Sequence, residues 1–469
     1  MDDAQALFTV LRQSADVGCV AVLERLVQEA PDRLLARINA LDLAKRENLD
    51  EEKTVATLLH GARIGLFEMS WNVLCPSCGG VLDTNATLKS VRSEEYYCAF
   101  CALSSEPTLD EMVEVTFTVS PRVRRIGAHN PEELPIWEYY RQIFWGSGVD
   151  LPRDSLEAAM QQITLDAVEL PAGEKAILSL QLPPETIIVL EPVTHAAQFI
   201  DVKGEPTRDR QGLTLVYTDL RAPTGTIEMR PGPIRLSLEN RAANRILPVV
   251  WVANDAMDRT IGKRRPFLTA KRLLSNQTFR DIYRTDTLDI DQRLKITSLT
   301  FLFTDLKGST ELYERVGDLV AFDLVREHFR TLNEIVAAEG GAVVKTIGDA
   351  VMATFLTPDH ALAAALRMRE AMRKLNASKG RDELLLKIGI HEGPCLAVTL
   401  NERQDYFGQT VNIASRVQGL ALSPSILATN SVISNPKSAS LLEAGGLMPA
   451  VHRHAVRGIA SEIAVYEIP

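Results

Sequence analysis

Four of the six cysteines stand as two Cys-x-x-Cys pairs, Cys75-Pro-Ser-Cys78 and Cys98-Ala-Phe-Cys101. Each short turn aims two thiolates at one point, and two such turns about twenty residues apart complete a tetrahedral shell. The spacing predicts a zinc ribbon with one structural Zn²⁺ on Cys75, Cys78, Cys98 and Cys101; a redox dithiol pair is the alternative. Four thiolates leave no open coordination position for a substrate, so this centre holds the fold and performs no chemistry. Between the pairs, Lys89 and Arg92 stand against Asp83, Glu94 and Glu95, so no basic stripe supports nucleic-acid binding. Cys19 and Cys395 stand alone, and Cys395 reads as core.

The chain has 469 residues, enough for about three domains, with 46% hydrophobic and 24% charged residues as in ordinary globular proteins. Its net charge of −10 repels polyanions on average, which argues against a general binder of nucleic acid or anionic membrane. No apolar run approaches the roughly 18 residues that cross a bilayer, so no transmembrane segment is expected. The acidic start Met1-Asp2-Asp3 lacks the basic and apolar stretches of a secretory signal, and a cytoplasmic location is the expectation.

Four regions are expected. Residues 1–118 form a helical region with the zinc ribbon; Leu34, Leu35, Ile38, Leu41 and Leu43 lie near helical spacing, and Val113–Val119 alternates like a strand. Residues 119–260 are mixed and end in a β-sandwich, read from Ile177–Leu182, Leu213–Tyr217, Ile234–Leu238 and Leu247–Val252. The aromatics Trp137, Tyr139, Tyr140, Phe144 and Trp145 suit a core anchor better than a ligand pocket. Residues 261–295 carry five more basic than acidic groups and read as a helical connector, placed to pass a signal to the C-terminal region.

Residues 296–469 change to a regular pattern. Leu299–Thr304 is an apolar strand suited to burial on both faces, and it ends at Asp305 and Gly308-Ser309-Thr310. A helix comes next, expected to bury Phe322, Val325, Phe329, Leu332 and Ile335, and it stops at Gly340-Gly341. A hairpin turning at Gly348-Asp349, a second helix over His360–Leu375 and a strand at Leu384–Ile390 complete the set. Strand, helix, hairpin, helix, strand is a ferredoxin-like α+β order, with two helices on one sheet face. Asp305 and Asp349 then end neighbouring strands, where two carboxylates suit two Mg²⁺ ions. The backbone of Gly308, Ser309 and Thr310 at a helix start suits a triphosphate.

Phe303-Thr-Asp-Leu-Lys-Gly-Ser-Thr310, Lys345-Thr-Ile-Gly-Asp-Ala-Val-Met352 and Asp405-Tyr-Phe-Gly-Gln-Thr-Val-Asn-Ile-Ala-Ser-Arg416 resemble, in order and spacing, the three signature stretches of class III nucleotidyl cyclases. The region before Ile296 is similar to an uncharacterised region that precedes some bacterial cyclases. The resemblance implies that Asp305 and Asp349 bind two Mg²⁺ or Mn²⁺ ions per site, and that Lys345 and Asp405 read the purine. It further implies that Asn412 orients the ribose and Arg416 stabilises charge on the α-phosphate. Arg457 stands where relatives often place a phosphate-contacting lysine. Lys345 as donor and Asp405 as acceptor match N1 and the amino group of adenine and mismatch guanine, so ATP is the expected substrate. The family builds each site between two catalytic domains, and one chain here supplies all the roles, so a homodimer through the catalytic domains is implied. The expected function is an adenylate cyclase answering to an unknown ligand or protein sensed by its N-terminal part. The alternatives are a guanylate cyclase, or a silent zinc-ribbon sensor that uses the cyclase domain only to dimerise.

Overall fold

The computed structural model describes residues 2–152, 155–219, 225–284, 288, 292–308, 314–379, 384–400, 403–422, 424–455 and 462–469. They fall into two compact units, one of residues 1–107 and 111–268, the other of Thr108–Asp110 and Thr269–Pro469. The division at Leu268 and Thr269 lies inside the stretch read as a connector. Among the described residues no helix is long and apolar enough to cross a membrane.

The first unit opens with helices whose ends are set by side-chain caps. Asp16 accepts from Cys19 N at the start of helix Val17–Glu29, Asn39 from Leu41 N and Asp42 N at helix Ala40–Glu47, and Asp50 from Lys53 N at helix Glu51–Arg63. Each bond satisfies an amide that the first turn leaves without a partner. The helical spacing expected over Leu34–Leu43 does not run through. A single 3₁₀ turn, Asp32–Leu34, is capped by Leu35; Arg37 then has a φ of 45°, and Ile38 bridges to Phe117 instead. Strand Phe67–Leu74 pairs antiparallel with Val81–Asn85 on one side and Val113–Val119 on the other.

The expected sandwich is present and larger than its sequence outline. One sheet holds Lys175–Leu182, Gln211–Tyr217 and Gly232–Asn240; the other holds Thr164–Ala167, Thr186–Glu191, Ala196–Val202, Thr226–Met229 and Val249–Ala253. Leu215, Leu236 and Leu238 of the first sheet share a core with Ile187, Val189, Ile200 and Val250 of the second. Tyr140, Phe144 and Trp145 are core as expected, with Tyr140 packed at 5.3 Å from Trp251 and Phe144 at 4.7 Å from Trp145.

In the second unit the labelled elements are β1 Leu294–Leu306, α1 Asp318–Ala338, β2 Ala342–Ile347, β3 Ala350–Phe355, α2 Pro358–Lys379, β4 Leu386–Leu400, β5 Arg403–Phe407, α3 Gln409–Leu420, β6 Ile426–Thr429, β7 Ala450–His454 and β8 Ile463–Ile468. The sheet runs β2-β3-β1-β4-β6-β8-β7, with β5 paired to β4. Its first four strands are mutually antiparallel, which is the ferredoxin-like order the sequence pattern implies. Alternation along β1 sends Leu302 and Leu306 into the core under α1 and α2, and leaves Phe301, Phe303 and Asp305 on the other face. Replacing the fully buried Leu332 of α1 by alanine would cost about 2–5 kcal/mol.

α1 buries Val325, Leu332 and Ile335 as expected and packs Phe329 against the same core; only Phe322 departs from expectation. The helix buries Ala321, Leu324, Val325, His328, Leu332, Ile335 and Val336, while Phe322 is 56% exposed. In the first turn the buried positions are Ala321 and Leu324, and Leu319, Val320 and Phe322 are exposed.

Thr108–Asp110 is stitched into this unit beside the start of β1. Leu109 N donates to Lys295 O (2.9 Å), Thr297 N to the Asp110 carboxylate (2.6 Å), and Lys271 Nζ pairs with Asp110 at 3.0 Å.

Candidate active site

The open face of the β1–β4 sheet is shaped by two glycines. A side chain at Gly389 would stand 2.2 Å from Gln418 N, and one at Gly393 2.8 Å from Thr410 Oγ1, so only glycine lets α3 lie directly on β4. That contact brings Gln418 to Asp305, where it lowers the carboxyl pKa by hydrogen bonding. Asp305 lies opposite Lys387 of β4.

Asp349 follows Gly348 in a two-residue loop joining β2 to β3, closed by the Ile347–Ala350 pair. Gly348 has φ 63°, a conformation that glycine adopts without strain and that such loops use. Thr304 Oγ1, next to Asp305, accepts from Val351 N (3.2 Å) and fastens β1 to β3 beneath both carboxylates. The Asp305 pKa is raised, first by burial and then by the charge of Asp349, against the opposing pull of Lys387 and Gln418. Asp349 Oδ2 is buried without a hydrogen-bond partner among the described residues. A carboxylate disfavoured by its neighbour's charge, beside an orphaned carboxylate oxygen, suits divalent cations with oxygen ligands. His328 of α1 is fully buried, its Nδ1 3.4 Å from Met372 Sδ, and burial pushes its pKa down to about 4.

Lys345 of β2 and Asp405 of β5 are brought together, the ammonium donating to Oδ2 of the buried carboxylate. The residue that holds them carries no motif in the sequence. Arg280, on the short helix Gln277–Ile282, donates Nε to Val343 O (3.2 Å), and Nη2 to Val344 O (3.2 Å) and Gln404 O (3.0 Å). One guanidinium thus grips the strands carrying Lys345 and Asp405. Gln277 adds an acceptor for Val343 N (2.8 Å). These contacts run to main-chain atoms and leave no side-chain pattern to read; only the basic character of the connector pointed at this segment.

Asn412 and Arg416 lie four apart on α3, as the spacing requires. Thr410, Ala414 and Val417 form the buried face of α3; Asn412 is exposed and Arg416 half-buried. Gly308 follows β1 with φ 69°. Ser309, Thr310 and Arg457 lie outside the described residues. His391, read as structural, bonds Thr429 Oγ1 through Nδ1 (2.7 Å), and burial drives its pKa down to about 4. Cys395 is buried, which pushes its thiol up to about 12.

In the first unit, Cys75, Cys78, Cys98 and Cys101 converge, their sulfurs all within 4.8 Å of one another. Cys78 Sγ and Cys98 Sγ are 3.7 Å apart. A tetrahedron with Zn–S bonds of about 2.3 Å has edges of about 3.8 Å, so the four thiols fit zinc. Gly80 N donates to Cys78 Sγ (3.4 Å), a bond that supports a thiolate ligand.

Residues 292–459, which carry β1 to β7 of this sheet, the two carboxylates and the Lys345–Asp405 couple, match the family model "Adenylate and Guanylate cyclase catalytic domain". Residues 1–281 match the "Family of unknown function (DUF5939)", and the chain belongs to that family. It is 31% identical over 185 residues to an adenylate cyclase of Anabaena cylindrica, covering 36% of each chain. It is 28% identical over 186 residues to adenylate cyclase 1 of Rhizobium meliloti, covering 36% of this chain and 27% of that one. The chain thus spans about a third of the length of these curated relatives. The solved adenylyl cyclase CyaB from P. aeruginosa aligns with 25% identity and a TM-score of 0.33, over 38% of this chain and 96% of that one.

Proposed function

We propose that the protein is an adenylate cyclase, forming 3′,5′-cyclic AMP and pyrophosphate from ATP by in-line attack of the 3′-hydroxyl on the α-phosphorus. The observation that carries the reading is the Lys345–Asp405 couple, a donor and an acceptor side by side on the face that bears Asp305. Adenine offers the complementary acceptor and donor; guanine reverses both, and such mismatches in a buried site cost orders of magnitude.

Asp305 and Asp349 would hold two Mg²⁺ or Mn²⁺ ions. Bound there, the ions supply Lewis acidity toward the hydroxyl and the phosphates. Gly308, Ser309 and Thr310 would cradle the phosphates through main-chain amides, with Arg457 as a further contact. Asn412 would orient the ribose and Arg416 would meet the charge that develops at the α-phosphate. We assign to each site the metal carboxylates of one chain and, from a second chain, the Asn412–Arg416 pair together with the purine-reading Lys345 and Asp405, giving a homodimer with two equivalent sites. The four cysteines would bind one structural zinc ion. The N-terminal unit would set the activity of the dimer, and the chain would work in the cytoplasm.

The test is incubation of the purified full chain with Mg²⁺ or Mn²⁺ and either ATP or GTP. Cyclic AMP from ATP is expected. Cyclic GMP instead would select the guanylate alternative, and no cyclic product under any condition would leave the sensor that only dimerises. Mixing Asp305→Ala and Asn412→Ala chains should restore about one intact site per heterodimer; heterodimers without activity would refute the shared site.

A further inference from the structure

A cavity of about 240 Å³ in the N-terminal unit is lined by five arginines, Arg33, Arg37, Arg46, Arg141 and Arg265. The chain carries a net charge of −10, so such a concentration of positive charge is local. Asp42 is the one acidic residue of the cavity wall among the described residues, and it is shared, 3.4 Å from Arg46 and 3.2 Å from Arg265. Outside the wall, Glu47 reaches Arg46 at 3.2 Å, Asp150 is 3.8 Å from Arg265, and Glu138 is 3.6 Å from Arg141.

Main-chain carbonyls aim several of these groups. Arg37 donates to Ile143 O, Arg141 to Pro152 O (2.7 Å), and Arg265 to Ser147 O (3.0 Å) and Val149 O (3.2 Å). A carbonyl fixes the direction of a guanidinium and leaves its charge in place. Arg37 stands out further. Its φ of 45° is left-handed, rare for a non-glycine residue and a form of strain that recurs at binding sites. Burial lowers its pKa, and the opposing charge of Glu114 comes from a carboxylate already bonded by Ser147 and Asn72.

The remaining wall is apolar, with Ile38, Leu43 and Val149. Trp145 completes it; the residue is 2% exposed and its indole N–H has no acceptor among the described residues.

We propose that this cavity binds a small phosphorylated molecule, its phosphate held by the arginines and its less polar body resting against Ile38, Leu43 and Trp145. Forked guanidiniums match phosphate oxygens two at a time, which is why several are gathered where such a group is bound. The ligand would be the signal for the N-terminal unit. That consequence rests on the cyclase reading; the binding does not.

Calorimetry of the full chain with inorganic pyrophosphate and with a sugar phosphate tests the site, in buffer without added divalent cations so that Asp305 and Asp349 have nothing with which to hold phosphate. Saturable binding to one site per chain is expected, weakened about tenfold or more by Arg265→Ala and by Arg33→Glu, and unchanged by Asp349→Asn. Arg33 is exposed, so Arg33→Glu keeps the test decisive if melting curves show that Arg265→Ala fails to fold. No heat at millimolar probe, or equal affinity in wild type and Arg33→Glu, would overturn the proposal. Cosedimentation with phosphatidate vesicles that pyrophosphate does not displace would overturn its assignment to a soluble ligand.

Discussion

The Lys345 ammonium is hydrogen-bonded to the Asp405 carboxylate, with the lysine side chain 40% exposed and the aspartate 8%. The exposed partner can turn to an incoming base, while the buried one stays fixed by its neighbour, since Asp405 Oδ1 also accepts from Tyr406 N (2.8 Å). Lys345→Glu would set a second carboxylate against Asp405 and remove the donor to adenine N1. Turnover of ATP should fall by about 100-fold or more, measured as cyclic AMP formed at saturating Mn²⁺. An unchanged rate would refute the purine-reading role.

Arg280 acts on the same couple from behind. Arg280→Ala would free the Val343, Val344 and Gln404 carbonyls and loosen the spacing of β2 and β5. The KM for ATP should rise roughly tenfold, with kcat less affected, and Arg280→Lys should recover part of the loss. A loss of stability alone, with KM unchanged, would make the contact structural only.

Asp305→Asn should lower turnover by roughly 100-fold or more, since it removes charge from the proposed cation site. Its effect on stability has the opposite sign. Burial and the charge of Asp349 raise the folded pKa of Asp305, so the ionised carboxylate destabilises the fold at neutral pH, and the penalty fades as pH falls through the folded pKa. Without divalent ions the variant should therefore melt higher than wild type at pH 7. Added Mg²⁺ should raise the melting temperature of wild type more than that of the variant.

The cysteine cluster should hold one zinc ion per chain by atomic absorption. Cys98→Ser should release it and lower the melting temperature, because three remaining sulfurs no longer close the tetrahedron. Full zinc retention in the variant would remove Cys98 from the ligand set.

His391 governs part of the acid response. Its folded pKa of about 4 lies below the ordinary 6.5, so the unfolded chain takes up the proton first as pH falls. Stability is intact above 6.5 and declines toward pH 4, by about 2–3 kcal/mol from this group. His391→Asn should flatten that decline in denaturant midpoints taken between pH 7 and 4.5. An equally steep decline would exclude His391 as a source.

The positions of Asp305 and Asp349, at a strand end and in a tight loop, and the four-residue interval of Asn412 and Arg416 on α3 were legible in the sequence; Lys345 and Asp405 lie inside β2 and β5, and only the family resemblance singled them out. Phe322 is exposed because it stands in the first turn of α1, where Ala321 and Leu324 take the buried positions and an apolar residue beside them reads the same in sequence. Strands Thr186–Glu191 and Ala196–Val202 went unread although each carries apolar residues, since short runs take their identity from partners distant in sequence. Arg280 was hidden because it bonds to backbone. The arginines of the N-terminal cavity come from residues 33 to 265, and composition cannot gather groups that only folding brings together.

Thr108–Asp110 has a practical consequence for anyone cutting this chain. Those three residues trim the margin of the catalytic sheet, yet they are encoded ahead of the sandwich. A shortened protein beginning near Leu294 would lose that selvedge together with the helices Ala270–Leu274 and Gln277–Ile282, which bear Lys271 and Arg280. A changed rate in such a fragment would report frayed edges as much as a missing governor, and the whole polypeptide carrying single substitutions is the fairer subject.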